Sequence, residues 1–357
     1  MISTPFIPVP PPRYGGTELI VAELCLGLER LGHEVRLYTV GGEGPVAQTR
    51  ALYRRPVWPP DPYHELNHSA WAIADLLADD ESVDVIHAHC PTAVPLARFA
   101  RLPFVYTIHH DRSESLAALY GSVRGVHYAC ISERQLELHP ELRGRTSVVH
   151  HGVDPDRYPL GTGGAPAVFL GRLSAEKGPD VAIDVARRAG VALRVAGQPH
   201  TDDQRWFAAV LEPLLRGPDV EWLGELDHRR KIELLQKARA TLFPIDWEEP
   251  FGLVLIESML CGTPVLAYGR GSVPEIVDQG VTGWVCADAR EMTARLRALD
   301  DGFDRVRCRA RAVERFGRNR MVEGYLRAYG RAIEFADMVA ARRAESALRI
   351  EEPPELA

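Results

Sequence analysis

Lysine is nearly missing from this 357-residue chain: Lys177, Lys231 and Lys237 are the only three among 42 basic residues, the rest being arginine. A scarcity of that kind reads as a compositional bias, so a lysine that survives it draws attention. An excess of positive charge is missing too. The formal net charge of −7 lacks the basic footprint of a nucleic-acid binder. No run of ~18 apolar residues occurs, so no membrane-spanning helix is expected. The six cysteines (Cys25, Cys90, Cys130, Cys261, Cys286, Cys308) include no C-x-x-C pair, which argues against zinc or an iron–sulfur cluster and for reduced thiols. The opening "MISTPFIPVPPPRYGG" has no charged n-region and its apolar residues are broken by prolines, unlike a signal peptide. A cytoplasmic protein is the expectation.

What is present is ordinary soluble composition, 46% hydrophobic and 25% charged, in a length suited to two domains of ~150–200 residues. Short β-branched runs alternate with longer helical patterns, as in βαβ units with a parallel sheet. In the first half the strand candidates are 33–40, 83–89, 103–110, 126–132 and 146–153; in the second they are 166–173, 191–198, 219–226, 240–245 and 263–269. Leu19, Ile20, Glu23, Leu24, Leu28 and Leu31 form a helical stripe, with Thr17 as its N-cap and Gly32 as its stop. The Gly/Pro-rich "RYPLGTGGAP" (157–166) is the best linker. Only "MIS" precedes the proline-rich loop, so either the first strand is very short or the sequence begins a few residues inside it.

Ligands of open parallel sheets bind outside the carboxyl ends of the strands, which gives weight to four stretches. "PPRYGGTE" (11–18) sets Gly15 and Gly16 before a helix whose free N–H groups suit a phosphate; a plain tight turn explains it equally well. "GRLSAEKG" (171–178) projects Arg172 and Lys177 from a strand end, as a phosphate grip or as two solvated charges. "TIHHDRSE" (107–114) offers His109 or His110 to a ligand, or merely satisfies a strand-end polar group. In "EEPFGLVLIE" (248–257), Glu249 precedes a helix starting near Phe251 or Gly252 and Glu257 falls inside it. Two such carboxylates could accept hydrogen bonds from vicinal hydroxyls, one set on a sugar and one on a ribose. The plainer alternative is a helix-dipole acid and a solvated face.

The stretch from Glu248 to Val285, "EEPFGLVLIESMLCGTPVLAYGRGSVPEIVDQGVTGWV", resembles the glutamate–seven–glutamate signature of glycosyltransferase family 4. "RYGGTE", "LERLGHEV", "VDVIHAH", "TIHHD", "HHGVD", "GRLSAEKG" and "ERFGRNRMVEGYLRAYGRAI" follow the family's order over nearly the whole chain. The resemblance implies an α/β GT-B fold, two Rossmann-like doubly wound parallel-sheet domains facing across a cleft. It implies an acceptor domain over 1–160, a nucleotide-sugar domain over 161–320 and a helix over 321–345 crossing back onto the first domain; the acidic tail 346–357 is expected to be disordered. By the same resemblance the donor set is Gly15, Gly16, Arg172, Lys177, Glu249, Phe251, Gly252, Leu253 and Glu257. Gly16 offers its N–H to the diphosphate, Arg172 and Lys177 neutralise it, Glu249 holds sugar hydroxyls and Glu257 the ribose. His109 faces the transferred sugar, and with Glu249, Arg172 and Lys177 makes the catalytic group. The acceptor would attack on the face the leaving group departs from, with retention, and the leaving phosphate itself can take the proton.

Neither a cofactor nor a metal is expected: "DPD" (154–156) lies by the linker and reads as structural. A UDP-sugar donor is favoured, UDP-glucose first, and the acceptor is a sugar, a lipid-linked or a small-molecule hydroxyl. His64, His68 and Trp71 are acceptor-side candidates by position. A glycoside hydrolase would use paired carboxylates but has no need of Arg172 and Lys177. A pyridoxal phosphorylase would be far longer, and a dinucleotide dehydrogenase lacks its G-x-G-x-x-G. A non-catalytic nucleotide-sugar binder and a GT-B epimerase remain the alternatives. The arginine-rich stretch 290–320 permits weak peripheral membrane contact, but its interspersed acids favour a solvated helical face.

Overall fold

The computed structural model describes residues 1–357 except 14, 79–82, 101, 200–202, 300–301 and 349–357, with side chains of the closing helix described as far as 339. Among the described residues there are twelve strands, every pairing between them parallel. The first half carries β1 (Arg36–Thr39), β2 (Gln48–Ala51), β3 (Ile86–Ala88), β4 (Phe104–Thr107), β5 (His127–Cys130) and β6 (Thr146–Val148). The second carries β7 (Ala167–Leu170), β8 (Leu193–Ala196), β9 (Val220–Trp222), β10 (Thr241–Phe243), β11 (Val265–Tyr268) and β12 (Gly283–Cys286).

Each of the ten expected runs contains one of these strands. The two extra ones, β2 and β12, are short and lack a β-branched run: "QTRA" is half-exposed at the edge, and "GWVC" opens on a glycine.

Two sheets result. In the first domain β3-β4-β5-β6 runs continuously, and Ile2 bridges both Tyr38 of β1 and Ala88 of β3, splicing the β1-β2 pair onto it. A single residue thus makes the strand pairing that precedes the proline-rich loop. Ile2 N donates to His87 O at 2.8 Å and Ser3 N to Tyr38 O at 2.9 Å. The second sheet has the order β12-β11-β10-β7-β8-β9. Strand order therefore reverses between β7 and β10 in one domain and between Ile2 and β3 in the other. Those are the points where an open sheet leaves a crevice at its carboxyl edge.

The first helix spans Gly16–Arg30 and its N-cap is Gly15; Thr17, the expected cap, already lies inside it, two residues past the observed one. Its buried face is wider than the leucine stripe, and Leu31, beyond the last turn, is 59% exposed. Glu23 on that face is almost fully buried. It accepts hydrogen bonds from Arg318, from Arg157 at 3.2 Å and from the N–H of Asp154 at 3.0 Å. Asp154, the first acid of "DPD", receives Arg318 at 3.0 Å and caps the N–H of Asp156 at 3.1 Å.

The last described helix, the 31-residue Arg318–Leu348 that closes the fold, leaves the second domain and lies on the first. Tyr325 OH sits 3.0 Å from Thr107 Oγ1 on β4, and Tyr329 OH 2.9 Å from His87 Nδ1 on β3. Residues 346–348 of the expected tail are helical, and the rest of it lies outside the described residues.

The arginine-rich stretch is not simply a solvated face. Arg309 donates to the carbonyls of Tyr158, Leu260 and Pro155, Arg315 to those of Ile276 and Glu275, and Arg315 and Arg311 both meet Asp278. These guanidiniums pin the linker and the helix Leu253–Leu260 to the second domain. Among the described residues no helix is long and apolar enough to cross a membrane.

Candidate active site

The loops after β7 and β10 flank the reversal point of the second sheet, and they supply Arg172, Lys177 and Glu249. They are laced together by Asp246 N donating to Glu176 O at 2.8 Å. Ser272 fixes the far side, its N–H on Glu249 O at 2.9 Å and its hydroxyl on Phe251 O at 2.7 Å. Glu249 is buried, yet its Oε2 takes two donors, Lys177 Nζ at 2.5 Å and Trp247 Nε1 at 3.0 Å. Lys177 also stands 4.2 Å above the Trp247 ring, and Arg172 lies over the same ring at 5.9 Å. Burial pulls the Lys177 ammonium below its ordinary value, against the opposing pull of Glu249. Arg172 rests on Glu176 at 3.1 Å.

Glu257 repeats the pattern about one turn into the helix Leu253–Leu260. Its Oε1 receives Tyr158 OH at 3.0 Å and Lys231 Nζ. In both glutamates the remaining oxygen, Oε1 of Glu249 and Oε2 of Glu257, has no partner among the described residues and is not sealed from solvent. Each carboxylate is thus half-spent: one oxygen locked by a lysine and an aromatic donor, one open to a hydroxyl.

Two helix N-termini meet between the domains. Gly252, at φ 83°, caps the helix Leu253–Leu260, and that left-handed turn aims the first N–H groups of Leu253 and Val254 out of the helix. Opposite lies the first helix: a Cβ on Gly16 would come within 3.1 Å of the Leu253 side chain. Only a narrow gap therefore separates the two helix N-termini, and helix N-termini suit anionic oxygens. Phe251 is fully buried, so of the donor set it offers only backbone. Glu18, in the first turn beside the gap, is buried and bonded by Thr4 Oγ1 at 2.9 Å; burial pushes its carboxyl pKa up.

His109 follows β4 on the first-domain wall. Its Nε2 pairs with Nδ1 of His89 at 2.9 Å, and its ring stacks on His151 at 5.3 Å; His151 in turn meets Phe251 edge-on at 5.0 Å. Burial lowers the His109 pKa to about 3, so the imidazole is neutral at ordinary pH. The column continues through His87, 4.1 Å from His89, to Tyr329 of the closing helix. His110 turns away and bonds Tyr120 OH at 2.8 Å.

Arg134 of the first domain grips Glu248 with two bonds of 2.9 and 3.0 Å, and Glu275 accepts the N–H groups of Glu133 and Arg134 at 2.8 and 3.1 Å. Between these contacts and Glu249 is a small cavity lined by Arg112, Arg134, Gln135, His139, Glu248 and Glu249. The acceptor-side candidates do not join it. His68 is fully buried, and Trp71 packs edge-on against Tyr38 at 5.5 Å, so both serve the core; His64 is exposed and held by Asp61.

Sequence reasoning missed Lys231, Tyr158, Trp247, His89 and His151. Lys231 had a usable signal in the lysine scarcity that singled out Lys177. The aromatic and histidine partners had none, because they are set by tertiary packing.

Residues 155–314 match the family described as Glycosyl transferases group 1, and residues 14–157 match Glycosyltransferase Family 4. Glycogen synthase from Mycobacterium tuberculosis is 31% identical over 64% of this chain and 63% of that enzyme, so the chain spans less than two thirds of that relative. D-inositol 3-phosphate glycosyltransferase from Mycobacterium bovis is 28% identical over 89% of this chain and 79% of that one. The crystal structure of HepE from Anabaena, in complex with UDP and glucose, superposes with a TM-score of 0.70 at 19% identity, covering 92% of this chain and 99% of that one. That likeness speaks to the fold alone.

Proposed function

The chain belongs to the GT-B glycosyltransferases of the family 4 type, and from that premise we propose that it moves a hexosyl group from a nucleotide-sugar to an acceptor hydroxyl with retention of configuration. The observation that carries this reading is the pair of half-spent carboxylates, Glu249 and Glu257, on either side of two facing helix N-termini. Polyol binders with an anion site between them fit a sugar, a diphosphate and a ribose in line. The free oxygen of Glu249 takes sugar hydroxyls and that of Glu257 takes the ribose. The diphosphate lies in the gap between Gly16 and Leu253, beside Arg172 and Lys177, with Gly15 and Gly252 shaping its walls.

Departure of the nucleoside diphosphate is then the assisted event. Fixed N–H groups and two cations stabilise charge that grows only as the glycosidic bond breaks. The neutral His109 hydrogen-bonds the sugar at the reaction centre, and the leaving phosphate accepts the acceptor's proton. With lysine, arginine and helix termini meeting the charge, the reading calls for no metal, and turnover should persist in EDTA. In this reading the first domain, which bears His109, holds the acceptor. UDP-glucose is the favoured donor; UDP and glucose bound to HepE, a protein of this fold, support that choice.

The test is thermal unfolding against UDP, GDP, ADP and their glucose and mannose conjugates. A ligand at ~100 times its dissociation constant adds about 2.7 kcal/mol, a shift of several degrees. Glu257→Ala should abolish the shift, whereas His109→Ala should keep it and lose turnover. No shift with any nucleotide would sink the donor site; binding with no transfer to any acceptor would favour a non-catalytic binder.

A further inference from the structure

We propose that Lys231 and Tyr158 are positioning residues that make the nucleotide site select ribose over 2′-deoxyribose; this rests on the reading of Glu257 as the ribose carboxylate. Lys231 stands in the first turn of the helix His228–Gln236, which Asp227 caps through the N–H of Arg230 at 2.9 Å. From there its ammonium reaches Glu257 Oε1. Tyr158, fully buried at the start of the linker, donates to the same oxygen at 3.0 Å from a different chain segment. Oε1 is therefore claimed twice, from two elements that do not belong to the Glu257 helix.

A carboxylate held by one oxygen alone could still rotate about its last bond and present either face. Two donors from different directions remove that freedom and leave Oε2 as the acceptor a ligand meets. Oε2 can take hydrogen bonds from two adjacent hydroxyls, the arrangement a ribose 2′,3′-diol supplies. A 2′-deoxyribose leaves half that capacity unmet on a buried, ionised group, and a site built this way rejects the analogue. The surroundings hold the pair rigidly. The Tyr158 ring is met edge-on by His228 at 5.3 Å, and its carbonyl is bonded by Arg309.

The twin arrangement at Glu249 sharpens the assignment. Lys177 and Trp247 hold the sugar-side carboxylate as Lys231 and Tyr158 hold the ribose-side one, so two of the chain's three lysines are spent on the two acids. Lys177 is flanked by Arg172, the second cation at the diphosphate. Lys231 has instead a tyrosine and a histidine beside it, which suits orienting a carboxylate rather than neutralising phosphates.

The experiment compares calorimetric dissociation constants for UDP and 2′-deoxy-UDP, with the GDP and ADP pairs alongside, in the intact protein and in Lys231→Met, Lys231→Arg and Tyr158→Phe. Intact protein should prefer the ribonucleotide by about tenfold or more. Lys231→Met should weaken the ribonucleotide about tenfold and barely move the deoxynucleotide, collapsing the ratio toward one. Tyr158→Phe should do so in part, and Lys231→Arg should restore most of the preference. Equal weakening of both nucleotides in Lys231→Met would overturn the proposal and make Lys231 a phosphate ligand. An unchanged ratio with unchanged affinities would reduce the contact to an ordinary ion pair. Should Lys231→Met fail to fold, Tyr158→Phe and Lys231→Arg carry the same comparison. Failure of intact protein to bind any of the nucleotides would be a different result, bringing down the donor reading itself and this inference with it.

Discussion

Lys177 Nζ lies 2.5 Å from Glu249 Oε2, a cation and an acid from the two loops that flank the β7–β10 reversal point. An ammonium has three donors, so this contact leaves Lys177 able to reach a diphosphate as well. Lys177→Ala should therefore cost twice, in phosphate stabilisation and in the set of Glu249. We expect kcat to fall roughly 100-fold or more, with donor affinity reduced less. Steady-state kinetics on the preferred donor would show it; an equal loss of kcat/KM through KM alone would contradict it.

Acid should unfold the protein early. Burial lowers the pKa of His68 and His127 to about 4 and of His109 to about 3. A histidine kept neutral by the fold gives stability that is complete above its unfolded value near 6.5 and is lost as pH falls toward the folded value. At pH 5 each contributes about 2 kcal/mol less than at pH 7. Glu18 and Glu65, whose carboxyls burial pushes up, act in the opposite sense and favour the fold at lower pH. Burial lowers His87, His89, His110, His151 and His228 in the same sense as the three named histidines, so calorimetric Tm should drop between pH 6.5 and 5. A flat profile would show these imidazoles to be protonated in place.

Glu23 and Arg318 form a nearly solvent-free pair where the first helix meets the closing helix, side chains 1% and 4% exposed. Glu23→Ala leaves the buried Arg318 guanidinium with Asp154 as its one acidic partner and should cost about 3 kcal/mol. The double variant Glu23→Leu with Arg318→Met should recover a large part of that, since an apolar pair of similar volume carries no desolvation penalty. Denaturant unfolding of the intact protein, Glu23→Leu, Arg318→Met and the double variant measures the coupling directly.

Gly271 is pressed against the backbone of Glu249. With φ at +55°, a Cβ there would stand 2.3 Å from both its N and its O. Gly271→Ala must push the 248–251 segment aside, and a displacement of about 1 Å at a reacting group can cost about 100-fold in rate. Gly280→Ala is the control: its φ is also positive, at +72°, but nothing lies within 4 Å. Turnover should collapse in the first and survive in the second.

The architecture was legible because βαβ periodicity is local: every one of the ten expected runs holds a strand. What escaped was decided at a distance. β2 is paired through its edge rather than its composition, and the first helix starts two residues earlier than a Thr17 cap would set it, at Gly16, which lies against Leu253. At the candidate site, glycines, acids and cations could be placed by spacing, but their partners could not. Nothing along the chain ties Tyr158 to Glu257 or Trp247 to Lys177. Those links exist only once β7 and β10 lie side by side.

The closing helix has a consequence for the order of events at synthesis. Tyr325 and Tyr329 cap Thr107 and His87, so the face of the first sheet that bears His89 and His109 stays open until residues from the far end of the chain reach it. The first domain leaves the ribosome first and finishes last. A nascent chain halted in the second domain would hold an uncovered apolar sheet, in need of a chaperone or prone to stick to its neighbours. The histidine wall of the cleft is completed only when translation is nearly over.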